Sequence, residues 1–428
     1  MSLLFSCGTS RCTNIMKLIP EIELDTPAIQ EIRRHLHANP ELGFDVHETA
    51  DYVAARLTEW GITVERGVGR TGVVGTLKRG RTLRAIGLRA DMDALPIHET
   101  NDFAHKSANP GKMHACGHDG HTAMLLGAAH YLAKHGDFDG IVHFIFQPAE
   151  EAGGGAQVMV EDGLFERFPV DAVFGVHNWP GLPEGTIGLR DGAIMASSNR
   201  FKIAVRGTSC HAARPHTGRD PILAASQLVS SLQSVVSRNV DPLESAVLSV
   251  CQFHAGTADN AIPGEAVVSG TVRTFNERVT DLIEQRIKAL SLAISTAFDC
   301  EVDCNFNRYY PTTQNDPDQA TFAAKVAAEV VGEDKVVRNI EPTMGAEDFS
   351  YMLRARPGCF AFIGNGDGAH REHGHGLGPC ELHNSNYDFN DALLPVGASY
   401  FARLVENFLA HPKGVSAIML ASQAPQEV

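Results

Sequence analysis

The sequence predicts an α/β fold: a mixed, mainly parallel sheet sandwiched by helices, with an inserted ferredoxin-like α+β domain. Three observations predict it. Ile141–Phe146 and Ala172–Val176 are nearly continuous apolar runs, as expected of strands covered on both faces. Such runs alternate with segments of helical periodicity, the pattern of a parallel sheet with crossover helices. Between Ser197 and Tyr309 the order becomes β-α-β-β-α-β, the split arrangement of a ferredoxin-like unit. A chain of 428 residues is long enough for two such domains.

The elements follow in order. Thr26 reads as an N-cap with Pro27 at the first helical position, and the helix should run to about Asn39, before Pro40. A second helix is expected over Glu48–Trp60, where Ala50, Val53, Ala54 and Leu57 share a face and Gly61 ends it. Gly72–Leu77 and Leu83–Arg89 read as strands. A helix from about Thr122 to Lys134 brings Met124, Leu125, Ala128 and Leu132 together, ahead of the two apolar strands. In the inserted region the strands are Phe201–Val205, Ala246–Cys251, Ala266–Thr274 and Glu301–Tyr309. Its helices are Asp220–Arg238 and Val279–Phe298. The first pattern resumes with a helix near Pro317–Val331, a strand at Cys359–Ile363 and a last helix near Pro395–Leu409. The expected division is a disordered leader over 1–24, a catalytic part over 25–196, an inserted lid or dimerisation domain over 197–309, and the remaining catalytic part over 310–428. Met16 is an alternative start.

Composition narrows the function. The 51 acidic residues outnumber the 36 basic ones for a formal charge of −15, which argues against a broad nucleic-acid or anionic membrane surface. No apolar run reaches the length of a transmembrane helix. Nine scattered cysteines, an odd number, read as a reducing, cytoplasmic setting rather than a disulfide framework.

The segment Met113–His121 carries His114, Cys116, His118, Asp119 and His121. Thiolate and imidazole together suit a borderline divalent metal. A Cys nucleophile with a His base is the second reading, and a polar turn with an incidental Cys the third. Glu150 and Glu151 directly follow the strand Ile141–Phe146. Adjacent side chains diverge, so one can bind metal while the other accepts a proton; a solvated acidic turn is the alternative. His177 and Asp91 sit at the ends of two further strands, where sites collect in open α/β sheets. Glu381–Asn384 lies in a loop rich in histidine, and spacing does not choose among His370, His373, His375 and His383. His35, His37 and His47 read as structural, and Cys251 and His254 as strand residues without a role.

These residues carry a resemblance. The chain resembles the hippurate hydrolase and indoleacetyl-amino-acid hydrolase group, within the aminoacylase and carboxypeptidase superfamily of co-catalytic metallohydrolases. The likeness spans almost everything after about residue 25. It rests on His37–Gly43, Arg89–Pro96, Cys116–Asp119, Gln147–Glu151, Gly175–His177, Asn260–Pro263, Gly345–Ser350 and Leu382-His383, in that order. The resemblance implies two divalent ions, of manganese, zinc, cobalt or nickel, bridged by Cys116 as thiolate. It implies His118 and His177 on one ion, and Glu151 and His383 on the other. Glu150 would be the general base, and Asp91 would orient a ligand. Arg89 stands where related branches carry a metal-binding His, which His118 replaces. His211, in Gly207–His211, would contact the oxyanion, often across a dimer interface. Asn260 and Arg273 match positions near the substrate, and the fork of Arg273 suits a carboxylate; a strand-face surface Arg is the alternative.

The implied reaction is cleavage of a hippurate-like N-acyl amino acid to a carboxylic acid and a free amino acid. The implied assembly is a homodimer or homotetramer through the inserted domain. Three alternatives stand beside it: a dipeptidase or carboxypeptidase of the same superfamily, a Cys-nucleophile amidase, and a metal-binding scaffold without catalysis. Chelators separate the metal enzyme from the Cys nucleophile, and amide hydrolysis separates it from the scaffold.

Overall fold

The computed structural model describes residues 16–371 and 380–411. Its main sheet has eight strands, in the order Thr63–Val68, Gly72–Arg79, Gly140–Gln147, Ala85–Asp91, Ala172–Pro180, Gly358–Gly366, Ile187–Leu189 and Val336–Arg338. The four central strands, from Gly140–Gln147 to Gly358–Gly366, run parallel. Their register sets Asp91 opposite Gln147 and His177 opposite Phe362, so the strands deliver their polar residues to one edge of the sheet.

Every residue of Ala85–Asp91 is buried, because helices cover both faces. Ile86, Leu88, Phe144 and Phe174 pack against the helices Pro20–Ala38, His118–Lys134, Pro317–Val331 and Leu394–Phe408. Ala85, Ile145, Val173 and Phe360 face Met159, Leu164, Phe165 and Met352 on the other side. Alternate residues of one strand thus serve two cores, which is why these strands read as unbroken apolar runs. Gly397 lets the last helix lie directly on His118–Lys134, since a Cβ there would overlap Met124.

The first helix corrects an expectation. It begins at Pro20, and Pro27 lies inside it. The buried stripe Ile22, Ile29, Ile32 and Leu36 runs through Pro27, and its burial outweighs the one backbone hydrogen bond that Pro cannot donate. Thr26 is therefore no N-cap; its Oγ1 donates to the Ile22 carbonyl. Residues of the expected leader are also part of the fold: Ile19 is buried with its N–H on Ser399 Oγ, and the Lys17 N–H reaches Val330 O. Residues 1–15 lie outside the described residues.

The smaller unit is an antiparallel sheet in the order Ala246–Ala255, Glu265–Thr274, Ser198–Arg206, Glu301–Tyr310. Helices Pro221–Asn239 and Glu277–Phe298 cover one face, with Leu228, Leu232, Ile283 and Ile287 packed on Phe201, Ile203 and Val205. Asp220 and Asn276 cap these helices by accepting backbone N–H bonds in the first turn. The β-α-β-β-α-β order is the one expected. A short ribbon, Cys210–His211 with Ala261–Ile262, is added to it.

Candidate metal centre and active site

The centre forms where strand ends, a helix start and loops meet. Gly117 connects Cys116 to His118, the first residue of the helix His118–Lys134. Its φ of 91° is left-handed, and a Cβ there would lie 2.8 Å from Tyr387 Oη. Glycine alone makes this turn comfortably, and the turn presents Cys116 and His118 to the same space. The helix therefore starts at His118, four residues before the expected Thr122. The strand carrying His177 likewise continues to Pro180, so His177 lies within it and not at its end.

The distant residues converge. Cys116 Sγ is 3.4 Å from His177 Nε2. Glu151 Oε1 is 3.3 Å from His383 Nε2 and 4.0 Å from His118 Nε2. Cys116, Glu151 and His383 offer ligand atoms all within 4.8 Å of one another. His118 Nδ1 faces the Asp93 carbonyl at 2.8 Å, and His177 Nδ1 faces the Asn178 carbonyl at 2.7 Å. A carbonyl only accepts, so both Nδ1 atoms carry the proton and both Nε2 lone pairs point into the centre. His118 Nε2 and Glu151 Oε1 are buried without a well-formed hydrogen bond. Orphaned atoms on a soft–borderline donor set fit a divalent cation.

Electrostatics agree. Asp91, Asp93, Glu150, Glu347 and Asp348 are buried with Arg89 as the cation between them. Arg89 donates to Asp91 at 2.8 Å, Glu347 at 2.9 Å, Asp348 at 3.2 Å and Gln147 at 2.8 Å, so each of its three nitrogens is engaged. Burial disfavours a charged His118, yet Asp91, Asp93 and Glu151 raise it to about 10. Burial also opposes ionisation of Asp91, but His118, Arg89 and His121 hold it well below the usual carboxylate range. The centre draws positive charge.

Glu150 lies beside this cluster with its carboxyl near Glu347 and Asp348. Burial, then repulsion from Glu347, Glu151 and Asp348, pushes it well above the usual range. Asp93 fixes the Glu150–Glu151 pair: its Oδ1 accepts the Glu150 N–H at 3.0 Å and its Oδ2 the Glu151 N–H at 3.1 Å. Ala149 just before them holds a φ of 54°, a strained conformation for a non-glycine residue. Tyr310 Oη, from the smaller unit, donates to the Glu150 carbonyl at 2.7 Å.

His121 is occupied differently. Its Nδ1 donates to Asp91 Oδ1 at 2.7 Å and its Nε2 accepts the Asn178 N–H at 2.9 Å. The Asn178 amide in turn holds the Cys116 carbonyl at 2.6 Å. His370 donates to the Asp388 carbonyl at 3.1 Å, whereas His373 and His375 lie outside the described residues. His37 is buried between Asp119 and Glu99, and His35 stacks on Tyr52.

The cavity above the cluster holds about 430 Å³, within the range of small-molecule sites. Trp179, Met195, Tyr309 and Arg273 line it together with the cluster. The structure thus brings Arg273 to the site. It does not bring His211 or Asn260, which are exposed on the ribbon and absent from the lining; His211 Nδ1 accepts the Ala213 N–H instead. Sequence reasoning counted His121 only within the candidate metal segment and gave Asp93, Glu347, Asp348 and Asn178 no role. Asp93 and Asn178 adjoin Asp91 and His177 in sequence, whereas Glu347 and Asp348 were signalled only by the motif Gly345–Ser350.

A mixed sheet with a Cys/His/Glu cluster gathered at one edge from strands, a helix start and loops, with a spare carboxyl beside it and an α+β unit above, is the layout of a metal-dependent hydrolase. The chain belongs to peptidase family M20/M25/M40, whose model matches residues 87–407. It is 45% identical to the hippurate hydrolase of Campylobacter jejuni over 92% of this chain and 100% of that one. It is 40% identical to the IAA-amino acid hydrolase ILR1-like 4 of Arabidopsis thaliana, over 89% and 86%. Among solved structures, the Bacillus subtilis YXEP protein, a dinuclear metal binding peptidase of the M20 family, superposes with a TM-score of 0.77. That match is 34% identical and covers 90% of this chain and 99% of that one.

Proposed function

We propose that the protein is a co-catalytic metallohydrolase that cleaves hippurate-like N-acyl amino acids to a carboxylic acid and a free amino acid. The observation that carries this is the cluster itself. Cys116, His118, Glu151, His177 and His383 come from separate stretches, and two of them carry buried, unsatisfied donor atoms beside Glu150. The likeness to hippurate hydrolase over nearly the whole chain supports the substrate class.

In this reading Cys116, His118, Glu151, His177 and His383 would hold two divalent ions. Manganese, zinc, cobalt and nickel all suit this donor set. Ions bound there supply an acidified water and polarise the amide carbonyl. Glu150 takes the proton of the attacking water and hands it to the leaving nitrogen; its raised proton affinity suits a group that must hold and then release a proton. Asp91 orients Cys116 through His121 and Asn178, whose amide holds the Cys116 carbonyl. Arg273 holds the substrate carboxylate at the cavity wall. His211 and Asn260 complete the site from a second copy, with residues 197–309 as the contact between subunits. A cytoplasmic setting fits the cysteines, which are free throughout the described residues.

A Cys116 nucleophile fits less well. Burial, then Glu151, Glu150 and Asp91, push its thiol well above the usual range, whereas an activated Cys needs the opposite. His177 beside it is held well below its ordinary value by burial and His121, so it gives no imidazolium to stabilise a thiolate. The test is metal analysis with a hydrolysis screen over acyl-glycines. Chelation should abolish hydrolysis, and manganese, cobalt, nickel or zinc should restore it. Full activity in a demetallated sample would refute the proposal.

A further inference from the structure

The open face of the smaller sheet holds two cations, Arg200 and Lys202, that the reaction above leaves unused. In Ser198–Arg206, Phe201, Ile203 and Val205 enter the core, so Arg200 and Lys202 point the other way. Arg200 sits opposite Thr271 on one neighbouring strand and Asn307 on the other; Lys202 sits opposite Asn305. Arg273 lies two residues beyond Thr271, a diagonal neighbour of Arg200 within reach of long side chains. Arg200, Lys202 and Arg273 line a hollow of about 450 Å³. Arg200 and Arg273 also line the candidate active-site cavity, so the same two guanidinium groups border both spaces.

No carboxylate answers these charges among the described residues, in a chain of net charge −15. The contrast lies on the same sheet: Arg206, at the far end of the strand, pairs with Glu265 and Glu301. Arg308 pairs with Asp281 and Glu284. Near the cleft the neighbours of Arg200 are neutral and polar, and Tyr309 holds its guanidinium by stacking, 4.4 Å from the ring centroid. Arg200 and Arg273 repel each other across a half-buried gap, and an anion between or beside them relieves that repulsion.

We propose that Arg200, with Lys202 behind it, forms a second anion subsite next to Arg273, and that the enzyme prefers N-acyl derivatives of dicarboxylic amino acids. This rests on the amidohydrolase reading and narrows it. The α-carboxylate meets Arg273, and the side-chain carboxylate of an acyl-glutamate or acyl-aspartate meets Arg200. A guanidinium fork matches a carboxylate in two parallel hydrogen bonds, which an amide does not reproduce.

The test compares N-benzoyl-glutamate, N-benzoyl-glutamine and N-benzoylglycine as substrates of the metal-loaded full chain and of Arg200→Gln. Glutamate should exceed its neutral isostere in kcat/KM by about tenfold or more, the scale of one charge-assisted contact. In Arg200→Gln that ratio should fall to near one. A ratio near one in the unaltered protein overturns the subsite. So does an Arg200→Gln variant that slows all three substrates equally, since Arg200 would then serve the shared α-carboxylate. Hydrolysis of none of the three overturns the amidohydrolase reading itself, and the subsite with it.

Discussion

Replacing Asp93 by Ala tests how the proposed base and its neighbouring ligand are held. Asp93 is buried, and each carboxylate oxygen accepts one backbone N–H, from Glu150 at 3.0 Å and from Glu151 at 3.1 Å. Its removal leaves two buried donors without partners. Each costs about 1–3 kcal/mol, so the folded protein should lose about 2–6 kcal/mol. The loop that carries Glu150 and Glu151 then relaxes from the strained φ at Ala149. A shift of about 1 Å at the reacting groups costs roughly 100-fold in rate. Asp93→Asn keeps one acceptor and should lose about half as much stability. Urea unfolding gives the stability, and metal content after dialysis with kcat gives the site. An Asp93→Ala protein that unfolds within about 0.5 kcal/mol of the parent, keeps its metal and turns over normally would refute the reasoning.

Three further outcomes are expected. Glu150→Gln should keep its metal and lose about 10²–10⁴-fold in kcat, measured against metal content in the same sample; normal turnover would remove Glu150 as the base. Gly117→Ala forces a side chain into a left-handed turn against Tyr387 and Asn178, and should cost about 1–3 kcal/mol and weaken metal retention, read by thermal unfolding and metal analysis. His37 responds to pH. Burial and Arg33 oppose its charge, but Asp119 and Glu99 raise it to about 9. Its contribution, on the order of 3 kcal/mol, is complete below about pH 6.5 and lost as pH rises through about 9. His37→Gln should therefore flatten the fall of stability over that window, and an unchanged slope would show that the pair with Asp119 does not set it.

Much of the fold was legible because burial on both faces leaves a plain trace. Ile141–Phe146 and Ala172–Val176 read as strands because nearly every position is buried and, His143 apart, apolar or glycine. The start of the first helix was not legible, because Thr26-Pro27 imitates an N-terminus while the stripe from Ile22 to Leu36 decides the outcome through tertiary burial. The last two strands of the sheet, Ile187–Leu189 and Val336–Arg338, were missed because they are short and are held by the sheet they extend. At the site, ligand types were visible as Cys, His and Glu gathered in a few short segments. Asp93 and Glu347 were not, since an acid that accepts backbone N–H groups or pairs with Arg89 looks in sequence like any surface acid. His211 and Asn260 show the opposite case: residues singled out by motif that one chain alone leaves outside the cavity.

The phenol of Tyr310 has a mechanical meaning. It ends the last strand of the smaller unit and grips the carbonyl of the very residue proposed to move the proton. Any swing of that unit is thereby geared to the aim of Glu150. The smaller unit and the proposed base thus share one linkage, and a change made in either would be felt by the other.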